Sequence, residues 1–120
     1  VKKTVEIIIG NKPYELCYNI KKLSRFERLI GKSIVFMFSM GSARFVQQLD
    51  IKFTVSGLVV ALDLKNEDEV YDLIEKYCED GGHLDHLNAK IVEAVIVTGL
   101  FTPGIAKDQE EAVPKKIQKR

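Results

Sequence analysis

Between Tyr14 and Ser33 the chain reads YELCYNIKKLSRFERLIGKS, a short strand, a capped helix and a Gly-Lys-Ser exit in direct succession. Tyr14, Leu16 and Tyr18 alternate with Glu15 and Cys17, which is the period of a strand with one dry face. Asn19 follows as a helix N-cap. Leu23, Phe26, Leu29 and Ile30 then fall on one side of a helix, while Lys21, Lys22, Arg25 and Arg28 point away. Gly31 stands where a left-handed C-terminal cap is wanted.

Upstream, Thr4 to Ile9 is β-branched, and Gly10-Asn11-Lys12-Pro13 supplies turn material before Tyr14. The two runs predict a β-hairpin. A lone hairpin is marginal in water, so its apolar face must rest on the helices that follow.

Downstream, Ser33 to Met40 is apolar and fits either strand or helix. Ser42 with Phe45, Val46 and Leu49 has helical spacing. In Phe53 to Leu64 the propensity of Thr54, Val55, Val59 and Val60 favours strand, whereas the period of Val55, Leu58, Val59 and Leu62 favours helix. The period is the better guide. Asn66 with Glu69 makes a capping-box-like start, and Val70, Leu73, Ile74 and Tyr77 form a stripe closed by Gly81-Gly82. From Leu84, the positions Leu87, Ile91, Ala94, Val95 and Thr98 share one helical face. Val92, Ile96, Val97 and Leu100 make the second half of that helix apolar nearly all round. Pro103-Gly104 ends it, and the charged remainder to Arg120 is expected to be a flexible tail.

The expected fold is therefore α+β, mainly α: a short N-terminal hairpin, four to five helices in one domain over residues 1–102, and a tail over 103–120. A length of 120 residues with 46% hydrophobic and 29% charged side chains suits one core. Lys and Arg number 18 against 17 acidic residues, and a net charge of +1 argues against nucleic acid or an acidic membrane as the main partner. Cys17 and Cys78 read as reduced thiols of a cytosolic protein. The N-terminal apolar run is too short for a signal peptide, and Ile34 to Met40 falls well short of the roughly 20 residues that span a bilayer.

Candidate chemistry is sparse. Gly31-Lys32-Ser33 has the ending of a phosphate-binding loop, but that loop needs a glycine where Phe26 stands, so a helix C-cap followed by a helix-start serine explains it better. Cys78, His83 and His86 are the residues that offer a soft metal set. Their spacing is not that of a structural finger, and the plainer reading places Cys78 in or near the core with both histidines in the next helix's first turn. Asp85 and His86 are adjacent and rarely face each other on a helix, which counts against an acid-base pair. Glu67, Asp68 and Glu69 suit a helix first turn by charge. Lys115, Lys116, Lys119 and Arg120 lack interleaved aromatics and read as a solvated terminus. The expectation is a protein that is not an enzyme and has no cofactor or metal.

The apolar surplus is the remaining clue. Ile34 to Phe38 and Val95 to Phe101 offer more hydrophobic side chains than a thin domain encloses, unless the final helix is fully buried. Ile34, Phe36, Phe38, Val97, Leu100 and Phe101 are accordingly the candidate surface for a partner or for self-association.

The hairpin with its glycine-asparagine turn, the run YELCYNIKKLSRFERLIGKSI, the capped middle helix and the apolar last helix together resemble the tail assembly chaperones of long-tailed bacteriophages. The resemblance covers about residues 4–102 and is most specific over Phe26-Glu27-Arg28-Leu29-Ile30-Gly31-Lys32-Ser33. It implies a small helical protein of the infected host's cytoplasm, absent from the finished virion. Such a protein binds the tape measure protein and helps tail tube subunits polymerise around it, acting as a homo-oligomer without membrane or specific nucleic acid. It also implies a longer frameshifted form, for which codons of Lys115-Lys116 are a candidate slippery run. The alternative is a small dimeric regulatory or adaptor domain that binds another protein or DNA.

Overall fold

The computed structural model describes residues 3–39 and 42–100. It begins with an antiparallel hairpin of β1 (Thr4–Ile9) and β2 (Lys12–Cys17), with Val5 opposite Leu16, Ile7 opposite Tyr14 and Ile9 opposite Lys12. The expected four-residue turn contracts to two. Gly10 and Asn11 both sit at positive φ, 59° and 63°, the backbone that a tight hairpin twist requires. Lys12 and Pro13 join the strand, where a two-stranded sheet tolerates proline at its edge. Val5, Ile7, Ile9, Leu16 and Tyr18 are buried, and Glu6 and Glu15 face out.

The hairpin passes through Asn19 into α1 (Ile20–Ile30). The Asn19 side chain accepts the Lys22 N–H, and Gly31, at φ 69°, donates its N–H to the Glu27 carbonyl. Both ends thus follow the sequence. Then come α2 (Ile34–Ser39), α3 (Ser42–Val46), α4 (Ile51–Ala61), α5 (Glu67–Glu79) and α6 (Leu84–Ile96). The fold is the expected α+β, mainly α, and the described residues hold six helices where about four to five were expected, because the ambiguous run after Ser33 forms a short helix of its own. Two side chains hold its start: the Ser33 hydroxyl accepts the Phe36 N–H, and the Glu27 carboxylate accepts the Ile34 N–H at 2.8 Å. The helix expected to run from Ser42 through Leu49 stops at Val46, which is exposed.

Helix α4 is the keystone. Asp50 caps it by accepting the Phe53 N–H, and every residue from Phe53 to Ala61 is buried. Helices α1, α5 and α6 and strand β2 all pack on it. Gly57 permits the closest approach: a Cβ there would lie 3.1 Å from both Phe26 and Ile91. Tyr18 donates its hydroxyl to the Gly57 carbonyl at 2.7 Å, and burial pushes its phenol well above the ordinary tyrosine range. Phe26 packs between Tyr18 and Phe53, with ring centroids 5.7 and 5.2 Å away. The strand-to-helix segment therefore docks both of its halves on one helix. Thr54, also on α4, donates its hydroxyl to the Asn88 side chain of α6, so a buried polar pair is mutually satisfied.

Asn66 caps α5 through the Glu69 N–H, as the sequence predicts, though of the expected stripe only Val70 is fully buried. In α6 the expected face, Leu87, Ile91, Ala94 and Val95 with Thr98 beyond it, is buried together with Val92. Ile96 and Leu100 are exposed, so the last helix is wet on one side despite its composition. The expectation of a flexible tail over 103–120 lies outside the described residues.

Candidate functional site

Part of the exposed hydrophobic surface lies where α1 and α2 meet the end of α6. Leu23 and Ile34 form the buried floor of an open groove of about 370 Å³, and Ile20, Val35 and Leu100 form its walls. Those walls are 66%, 60% and 44% exposed, and neighbouring Phe36 is 59% exposed. Three local features build the site. Asn19 caps α1, so that Ile20 begins the helix three residues before Leu23. Gly31 reverses the chain at the other end. The Glu27 carboxylate then ties α2 to α1 through Ile34 and fixes one wall against the floor.

Of the six residues expected to form a partner surface, two are corrected. Ile34 and Phe38 are each 1% exposed. Ile34 is floor, and Phe38 packs edge to face on Phe45 with centroids 4.9 Å apart. A helix with this much apolar surface must turn one side inward, and α2 turns Ile34, Met37 and Phe38. Phe36 and Leu100 are exposed, Val97 is half-buried, and Phe101 lies outside the described residues. Sequence reasoning missed Ile20 and Val35. Ile20 carried a readable signal, because it stands three residues before Leu23 at the start of α1 and so extends that apolar side of the helix beyond the core.

The Gly-Lys-Ser exit is a helix junction. Gly31 ends α1, Ser33 starts α2, and Lys32 reaches within 3.8 Å of Asp50, the residue that caps α4. Phe26, where a phosphate loop needs glycine, is wholly buried. Cys78 is exposed rather than in the core, since Val70, Leu73, Ile74 and Tyr77 occupy the inward side of α5. His83 is the N-cap of α6 without a side-chain cap bond, and its ring lies 5.6 Å from that of His86. Among the described residues no three His, Cys, Asp or Glu side chains gather into a metal-holding group. No described helix is long and apolar enough to cross a membrane. Compared with models of protein families, with curated proteins and with solved structures, the chain finds no match.

Proposed function

We propose that this chain is a tail assembly chaperone of a long-tailed bacteriophage, which holds the tape measure protein soluble and promotes tail tube polymerisation around it. The apolar groove between α1, α2 and Leu100 carries the reading, together with the resemblance of residues 14–34 to that family. A tape measure is a long helical protein that aggregates until it is enclosed. An apolar groove with exposed walls suits the apolar face of such a helix.

The energetics match a carrier that must let go. Ile20, Val35, Phe36 and Leu100 are about half-exposed, so covering them contributes on the order of 1 kcal/mol each, half the value for full burial. Their sum of about 4 kcal/mol only offsets the low end of the roughly 4–15 kcal/mol cost of association. One copy thus holds its target weakly, and several copies along one target hold it firmly while remaining displaceable by tube subunits. On this reading the protein acts in the host cytoplasm during infection, leaves before the virion is complete, and needs neither a catalytic residue nor a cofactor.

Co-expression with the tape-measure-like protein encoded beside it, followed by size exclusion with light scattering, tests the proposal. The expected product is a soluble complex with several copies of this chain per partner. A partner that stays insoluble while this chain elutes alone overturns the proposal in favour of a small adaptor domain.

A further inference from the structure

A second apolar trough lies between α4 and α5. Two open hollows of about 260 and 200 Å³ adjoin there, with Ile51, Val55 and Tyr71 lining both, and the trough runs from Leu29 of α1 to Leu84 of α6. Leu29, Ile51, Tyr71 and Leu84 are exposed. Tyr71 is held in place by donating its hydroxyl to Glu67 at 3.2 Å.

The flank of this trough on α5 is acidic. Helix α5, EDEVYDLIEKYCE, carries six acidic residues and one basic. Asp68, Asp72, Glu75 and Glu79 recur at i, i+4, i+7 and i+11, which makes one stripe beside Tyr71. Among the described residues none of these four enters an ion pair: the pairs present are Lys22 with Asp63, Lys32 with Asp50, and Lys90 with Glu93. Lys52 lines the trough on its α4 side.

An occupant that fits is apolar at its centre and basic around it. Residues 113–120, VPKKIQKR, have that composition, with Ile117 set among Lys115, Lys116, Lys119 and Arg120. They are also within reach. Leu84 opens α6, a helix of 13 residues, so Leu100 just past its other end is about 30 Å from the trough at most. The linking residues 101–112 span about 40 Å when extended.

We infer that residues 113–120 of this same chain occupy the trough, with Ile117 against Ile51 and Tyr71 and the four cations along the acidic stripe of α5. Opposite charge aligns the segment, and the apolar contact rewards the alignment. A tethered segment acts at an effective concentration on the order of 1 mM, so a contact too weak to hold a free peptide still forms within the chain. The docked segment covers the exposed side chains of the trough, and any other ligand of that face must displace it. The contact is made within one chain and is independent of the tape measure.

Zero-length carbodiimide cross-linking of the full chain, read by peptide mass spectrometry on an equimolar mixture of unlabelled and nitrogen-15-labelled protein, tests it. The reagent joins a lysine amine to a carboxylate only where the two touch. Lys115, Lys116 and Lys119 should be joined mainly to Asp68, Asp72, Glu75 and Glu79 rather than to the exposed Glu6 and Glu93, and always within chains of one isotope. The yield should fall severalfold between roughly 50 mM and roughly 500 mM NaCl. Ile117→Ser, which keeps every charge and lies outside the packed core, should lower the yield about fivefold through the lost apolar contact. Links spread evenly over the surface carboxylates, a yield unchanged by Ile117→Ser, or links between chains of unlike isotope, which would assign the trough to a second copy, overturn the inference.

Discussion

Helices α2 and α4 are both written mainly in apolar residues, IVFMFS and IKFTVSGLVVA, yet they have opposite fates. Helix α4 is enclosed by α1, α5, α6 and β2, and nine consecutive residues of it are buried. Helix α2 packs on α1 and leaves Val35 and Phe36 in the open. Hydropathy is therefore a poor guide to which apolar helix is core and which is surface. The number of partners an element has decides it, and that number comes from the topology.

This contrast can be broken by mutation. Leu58→Ala in α4 should have the largest effect, a loss of about 2–5 kcal/mol in urea unfolding, because Leu58 is wholly buried in a helix held by four other elements, which leaves little freedom to collapse into the void. Gly57→Val should cost roughly 1–3 kcal/mol, since its side chain must displace Phe26 and Ile91. Tyr18→Phe should cost about 1 kcal/mol through the lost bond to Gly57. It should also change the response to alkali. The folded pKa of Tyr18 is raised above its unfolded value, so its contribution is full below about pH 10 and is lost as the pH rises beyond that. Stability of the Tyr18→Phe variant, followed by denaturant titration across that range, should therefore fall less steeply than wild type. On the other side of the contrast, Val35→Asp with Phe36→Asp should cost about 1–2 kcal/mol in unfolding, less than Leu58→Ala alone, while abolishing capture of the tape measure in co-expression.

Much of the fold was written locally. Asn19, Gly31 and Asn66 are caps whose side chains or backbone do what their types favour, and Gly10-Asn11 makes a turn that only such residues adopt readily. The helical period of Val55, Leu58, Val59 and Leu62 outweighed the β-branched propensity of the same segment. The Glu27 bond to Ile34 was not legible, since it joins residues seven apart across a reversal whose geometry the sequence does not state. Which apolar side chains stay exposed was half legible for a related reason. An apolar surplus in α2 and after Val95 is visible by composition, but which residues of α2 face outward depends on where α1 and α3 sit, so Ile34 and Phe38 went inward and Val35 was overlooked.

Hydrogen exchange on this chain, free and bound to the tape-measure-like protein, tests the central claim most directly. The account predicts that slowed exchange concentrates in the first turn of α1, in α2 and in residues 97–100, with α4 protected alike in both states. Protection confined to the hairpin or to α5, with the groove exchanging at the same rate in both states, would contradict it.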